Sequence, residues 1–570
     1  MKWNSRCSGV LLPAFSPRRA GDLGIGDTRA LLEWVEWAAQ YKVGFLQLLP
    51  INETGADCSP YNAISSVALE PLYLTMEVEE IPGLVAEDVA EARAELGEEV
   101  LAARLVEYAR VREVKLRLLR RAFDRFTAEE FAEEKAEFRA FVDAEASWLN
   151  DYAFFRELMC LAGERESWHL WPDAFNEPRK AREYLGELRA AGDARLWQGI
   201  EFRRWVQWLC FRQWRAVRAR AQELGVKLMG DIPIGIAYDS ADVFFQRENF
   251  DLDWCGGAPP ETMFKHDRFI QRWGQNWGIP VYRWEDMEQM GYPWWRQRIE
   301  KLTEVFAIFR IDHILGFYRI YAFPWRPQRN GEFLDLSEEE ARERCGGKLP
   351  GWAWRADDTE ENRQANRSDG DRRLRMILEA AGDGEVVGED LGCVPEYVRP
   401  HLESLGIAGF RIPHWDHRDG HVVPGSEYPE CSFATYSTHD HDTLAAMWEG
   451  YRQAALGLVP VEDHEKNDAW WNLRLLSQFA GMTVGEGEVA AFSPSVQWSL
   501  IDGLMFCHSR YAAIMITDLF GMHDRYNRPG TVGGENWRFR LPFSMAEIMA
   551  DDGLRGQCER LRESIEKSGR

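Results

Sequence analysis

The chain has 570 residues, 45% of them hydrophobic and 28% charged, and carries a net charge of −25 at pH 7. Its apolar content is enough for a large core, while so acidic a surface lacks the basic face that nucleic acid or an anionic membrane needs, so an uncharged substrate is the easier partner. The opening MKWNSRCSGVLLPAF has no apolar core of signal-peptide length and no later run approaches membrane-spanning length, which gives the expectation of a cytoplasmic protein.

Residues 8–14, SGVLLPA, predict a first strand, and the loop GDLGIGD at 21–27 follows it. That loop lacks the lysine of a phosphate-binding loop and the third glycine of a dinucleotide fingerprint, so it reads as a turn. Asp27 or Thr28 then caps a helix, ALLEWVEWAAQ, whose apolar positions recur every three or four residues. A second strand spans 43–49, and a β-loop-α-β unit implies a parallel sheet. The polar loop SPYNAISSVALEP at 59–71 follows that strand's C-terminal end. In a barrel this would put Ser59 and Tyr61 on the face that carries active sites. From about 84 to 225 the composition turns to Ala, Glu, Leu and Arg at helical spacing, an inserted helical subdomain whose charge runs read as solvated faces.

The sheet resumes at 226–229, with Asp231 just past the strand end and Asp239 and Asp242 placed to cap the next helix or orient a loop. The stretch 256–284, rich in Gly, Pro, Trp and Gln, shows little regular pattern. A loop that long in a compact domain is functional or disordered, and its aromatic residues argue against disorder. It reads as a lid, with Gln275 and Trp277 able to hydrogen-bond to and stack on a polyol. A helix at 293–305 leads into FAIFRIDHILGFYRIYAFP at 306–324, where an unbroken apolar run fits a strand covered on both faces. The run ends in Arg310, Asp312 and His313. Strand side chains alternate, so Arg310 and Asp312 share a side, and a guanidinium beside a carboxylate keeps it ionised. That describes a nucleophile, or equally a buried ion pair closing a strand.

A second insertion covers about 325–384. EVVGEDLG at 385–392 then ends another strand in Glu389 and Asp390, neighbours of which usually only one can face a given pocket. Another βα unit runs through GIAGFRIP, and SFATYSTHDHDT at 432–443 brings a strand to His439 and Asp440. HDHD and the nearby HWDH at 414–417 could be read as metal ligands. A divalent site would want several such groups converging, whereas the other strand ends supply carboxylates with arginine, so no metal is expected. The ten cysteines stand singly and read as reduced, mostly buried thiols. A helical insertion at 450–500 precedes the last strand, AIMITDL, and the turn-rich tail RYNRPGTVGGENWRFR at 525–540 carries Asn536 and Trp537. The 25 tryptophans are a weak sign of carbohydrate, since indole faces stack on the CH-rich faces of sugar rings although most tryptophans pack in cores.

Three strand ends therefore offer acids: Asp312, Glu389 and Asp440. Glycoside chemistry needs two carboxylates flanking one bond, and a third can hold ring hydroxyls as the oxocarbenium develops. RIDH at 310–313, GEDLG at 388–392 and THDHDT at 438–443 closely resemble the signature blocks of the 4-α-glucanotransferases, the amylomaltases or disproportionating enzymes of the α-amylase-like clan. The resemblance continues through SPY at 59–61, GDIPI at 230–234, YDSADV at 238–243, GQNWG at 274–278 and PGTVGGENW at 529–537. It implies a single (β/α)8 barrel over 1–570 with helical insertions, no cofactor, and maltooligosaccharides or other α-1,4-glucans as substrates. The family's nucleophile falls on Asp312, its general acid/base on Glu389 and its stabilising aspartate on Asp440. Arg310 and His439 match contacts to the nucleophile and the sugar, and Tyr61, Asp231, Gln275, Trp277 and Asp390 match sugar-contacting positions. Ser59 and Asn536, inside matched blocks, join the candidates.

RIDHILG replaces the RIDHFRG of many amylomaltases and is similar to the plant cytosolic, maltose-using branch. Glu261 replaces an aspartate and His441 a common asparagine. These changes surround the donor and acceptor sites and bear on chain-length preference. Two competing readings use the same residues: a hydrolase with water as acceptor, and a non-catalytic glucan-binding protein.

Overall fold

In the computed structural model, which describes residues 6–261, 267–483, 489–531 and 533–570, the strands are, in chain order, β1 (Cys7–Leu11), β2 (Phe45–Gln47), β3 (Lys227–Ile232), β4 (Phe250–Ala258), β5 (Gln275–Tyr282), β6 (Ile308–Ile311), β7 (Ile320–Phe323), β8 (Gly351–Ala353), β9 (Glu385–Gly388), β10 (Ala408–Arg411), β11 (His417–Arg418), β12 (His421–Val422), β13 (Ser432–Ala434) and β14 (Tyr511–Met515). Eight of them, β1, β2, β3, β6, β9, β10, β13 and β14, pair in that order, all parallel, and β14 closes on β1. This is the (β/α)8 barrel expected of short apolar strands covered on both faces.

Alternation along each strand divides its residues between two cores. Phe45, Met229, Ile308, Val387, Phe410, Phe433 and Tyr511 fill the barrel interior, where Phe410 and Phe433 stack with centroids 4.8 Å apart and Phe45 meets Tyr511 edge-on at 5.8 Å. Leu46, Leu228, Phe309 and Ile514 point outward into the much larger core shared with the helices. At the N-terminal end of the barrel, Glu385 takes Lys227 and Arg510 at 2.8 Å each and the Tyr511 hydroxyl. The buried charge there is thus compensated within the barrel wall. At the other end the register does the work that matters for function. Asp231 lies beside Arg310 across β3 and β6, and Ile311 beside Gly388 across β6 and β9, so the residues that follow, Asp312 and Glu389, emerge as neighbours.

The stretch 256–284 is more ordered than its sequence suggests. β4 and β5 form an antiparallel pair that continues through β7 and β8 into a four-stranded sheet outside the barrel. Register shifts between Asp251 and Cys255 and between Gly256 and Gly257 break the period-two pattern that would have revealed the strands. Residues 262–266 of the expected lid lie outside the described residues. Ahead of β9, the helix Glu360–Ala381 packs on the barrel helix Pro293–Thr303, so the excursion from the barrel ends by residue 359 rather than at 384. Likewise the 30-residue helix Ala194–Glu223 returns to lie on the barrel helix Thr28–Gln40. Only four of the ten cysteines, Cys210, Cys255, Cys507 and Cys558, are buried. Among the described residues no helix is long and apolar enough to cross a membrane.

Phe410 is buried inside the barrel and lies 5.7 Å from the Arg310 guanidinium. Phe410→Ala is expected to cost about 3–5 kcal/mol of stability, visible as a clear fall in the thermal midpoint. An unchanged midpoint would mean that the interior layer is not what supports the barrel top.

Candidate functional site

Arg310 occupies the third position of β6, 3% exposed. One guanidinium nitrogen donates to both carboxylate oxygens of Asp231, at 2.9 and 2.7 Å, and the other lies 2.8 Å from Asp312. Arg310 and Asp312 therefore do share a side, as alternation required. The Tyr61 hydroxyl donates to Asp231 at 2.7 Å, and the Tyr61 ring stacks on His439 at 5.1 Å. His439 in turn sits 3.3 Å from Asp440, so one chain of contacts runs from β6 across the barrel mouth to the loop after β13.

Glu389, 8% exposed, follows β9 directly. Its carboxyl accepts the backbone N–H of His313 at 2.8 Å and of Leu391 at 2.9 Å. The first of these is possible because His313 adopts a left-handed conformation with φ 45°, uncommon for a residue with a side chain. Burial pushes Glu389 up to about 7; Arg310 pulls against this and the charge of Asp312 adds to it. Burial alone would also raise Asp440, but His439 and the Asn527 side chain, which donates at 2.6 Å, hold it well below the usual carboxylate range. Burial lowers His313 to about 4, so it is neutral at pH 7.

These groups line one cavity of about 1570 Å³, larger than the usual small-molecule pocket of roughly 300–1,000 Å³ and of a size for a chain of rings. Ser59, Tyr61, Gln275, Trp277, Arg310, Asp312, Glu389, His439 and Asp440 all face it. Asp231 lies beneath it, reached through Tyr61 and Arg310. Two sequence candidates face elsewhere. Asp390 points away from its neighbour Glu389 and is fully buried, accepting the Phe410 N–H at 2.6 Å and pairing with Arg399 at 2.9 Å. Asn536 holds a turn, accepting the Arg528 N–H at 3.0 Å and donating to the Thr531 carbonyl at 3.1 Å. Asp390 thus ties the end of β9 to β10 and to the helix Val398–Leu405, and Asn536 fixes the turn that runs from residue 528. Residues not singled out from the sequence include Trp352 and Trp415 in the wall and Asn527 beside Asp440. For the two tryptophans the only sign was the abundance of that residue, and for Asn527 its place in the turn-rich tail. His441 turns to Thr438 and His414 is buried apart; among the described residues no three His, Cys, Asp or Glu are placed to hold a metal ion.

A parallel barrel with acids of opposed ionisation at its strand tops, in a long cleft with exposed aromatic faces, defines a carbohydrate-active enzyme of the glycoside class. The profile of the 4-alpha-glucanotransferase family matches residues 12–546. A 4-alpha-glucanotransferase of Chlamydia caviae is 31% identical over 96% of this chain and 92% of its own length, and one of Thermus thermophilus is 30% identical over 94% and 95%. The amylomaltase of Streptococcus agalactiae, solved in complex with acarbose, superposes with a TM-score of 0.74 over 99% of both chains at 22% identity, which speaks for the fold. The chain belongs to the 4-alpha-glucanotransferase family.

The shared field of the site is testable by titration. Glu389 is expected to titrate near 7 by infrared or NMR carboxyl signals, and Asp312→Asn, by removing a neighbouring negative charge, to lower that value. The same Glu389 titration in both proteins would contradict the coupling.

Proposed function

We propose that this enzyme moves α-1,4-glucan segments from a donor maltooligosaccharide to the 4-hydroxyl of a sugar acceptor by a retaining double displacement. Asp312, with Arg310 as counter-ion, attacks the anomeric carbon. Glu389, raised to about 7 and so carrying its proton in a good share of molecules at neutral pH, gives that proton to the departing glycosidic oxygen, and a covalent glycosyl ester forms on Asp312 as the bond to the leaving sugar breaks. The ionised Glu389 then takes the proton of the incoming 4-hydroxyl, whose oxygen displaces Asp312 with configuration retained. Asp440, kept ionised by His439 and Asn527, stabilises the positive charge that develops on the ring in both steps. Tyr61, Asp231, Arg310 and His439 position the sugar at the cleaved bond, Ser59 holds the Tyr61 loop, and Gln275 and Trp277 meet the ring beyond it.

The observation that carries this reading is the pair of adjacent carboxyls with divided tasks: Glu389 raised to about 7 by burial, and Asp312 tied to Arg310 at 2.8 Å. Two groups so placed are an acid and a nucleophile. Ten unpaired cysteines favour a reducing compartment, and the reading carries a cytoplasmic location.

Incubation with maltotriose tests it. The expected products are a ladder of longer maltooligosaccharides, whereas glucose and maltose alone would mean that water is the acceptor. Asp312→Asn and Glu389→Gln are each expected to lose at least about a thousandfold in kcat, in line with nucleophile and acid–base contributions. Near-wild-type turnover in Asp312→Asn would remove Asp312 from the nucleophile's role, and a wild type that forms no product at all would leave only a glucan-binding protein.

A further inference from the structure

Glu166 comes from the loop after the helix Ala146–Leu161, within the helical insertion, yet its side chain reaches the barrel mouth and lines the cavity. One carboxylate oxygen accepts the backbone N–H of Ala56. The other has no hydrogen-bond donor among the described residues, although burial is deep enough to push the carboxyl upward. Glu166 is half-buried in the cavity wall, so that oxygen stays open to the cavity, where a ligand's hydroxyl can reach it.

The charges that act most strongly on Glu166 are not those of the central acids. Its charged neighbours are Asp57, Asp239 and Arg112. Asp57 is occupied by the Asn62 amide at 2.8 Å and the Ser59 N–H at 3.1 Å, Asp239 by Arg326 at 3.0 Å and Ser167 at 3.1 Å, and Arg112 by the Thr54 carbonyl at 3.3 Å and hydroxyl at 3.2 Å. Asp57 and Asp239 are carboxylates, which accept rather than donate, and the Arg112 guanidinium is turned to Thr54 rather than to Glu166. Tyr61, five residues after Ala56, is the nearest point on this loop that touches the central acids. The approach is also built into the backbone: a Cβ on Gly55 would stand 2.6 Å from the bound oxygen of Glu166, so only glycine leaves the carboxylate room where it is.

We propose that Glu166 is a specificity-determining residue that accepts hydrogen bonds from the hydroxyls of an α-glucan ring beyond those at the cleaved bond, so that the helical insertion sets preference for longer chains. The inference rests on the glucan-transfer reading. Sugar hydroxyls are neutral donors, and an ionised acceptor binds them more strongly than a neutral one does. A contact beyond the rings at the cleaved bond contributes to binding only when the substrate is long enough to reach it.

The experiment compares KM and kcat for maltotriose and maltoheptaose in the wild type, Glu166→Leu, Glu166→Gln and Gly55→Ala. Glu166→Leu is expected to raise KM for maltoheptaose about tenfold, the size of one hydrogen bond to a charged group, with maltotriose kinetics and the thermal midpoint unchanged. Glu166→Gln, which keeps a neutral acceptor, is expected to show a smaller rise. Gly55→Ala, which displaces the carboxylate without altering it, is expected to shift KM for maltoheptaose in the same direction. Wild-type KM at both lengths in all three variants overturns the proposal, as does an equal loss for both substrates, which would mark a disturbed loop. Failure of the wild type to form any ladder would sink the transfer reading itself, a result separate from these.

Discussion

The barrel top depends on a single guanidinium. Arg310 holds Asp231 on one side and Asp312 on the other while almost wholly removed from water. Burying Arg310 and Asp231 is unfavourable unless each is compensated at close range, and here the register between β3 and β6 brings Asp231 alongside Arg310 while alternation along β6 brings the half-buried Asp312. Loss of the guanidinium would leave the buried Asp231 carboxylate beside that of Asp312 with no cation between them. The charge balance of the centre is therefore a property of strand pairing as much as of residue identity.

The fold uses different means to set the other two acids apart. Glu389 is buried, with two backbone N–H groups as its partners, and burial wins. Asp440 sits more openly and takes a histidine and an amide side chain, which lower it. The left-handed turn at His313 ties the end of β6 to Glu389, because it aims the backbone N–H that follows Asp312 at that carboxyl. A backbone conformation uncommon for a residue with a side chain is tolerated there by the packing around it.

The barrel supplies the reacting groups, and the additions supply the length of the cleft. The four-stranded sheet contributes Gln275 and Trp277 from β5 and Trp352 from β8, and the helical insertion contributes Glu166. Such a division of labour suits a fold in which the strands fix geometry and the loops decide what enters.

The sequence by itself determined the strand-end acids, the parallel sheet and the shared side of Arg310 and Asp312, because these follow from local periodicity and a backbone period of two holds without tertiary help. It also required Glu389 and Asp390 to diverge. Which of the two faced the cavity was decided by pairing with β6 and β10, since the direction of a strand's face depends on its neighbours. The sheet formed by β4 and β5 was hidden by its bulges, and the helix Glu360–Ala381 by its polar surface; partners more than sixty residues away hold each in place. Asn527 beside Asp440 and Glu166 beside Ala56, 87 and 110 residues apart in the chain, meet only because the barrel closes and the insertion folds back on it. Contacts of that separation leave no periodic trace in a single sequence.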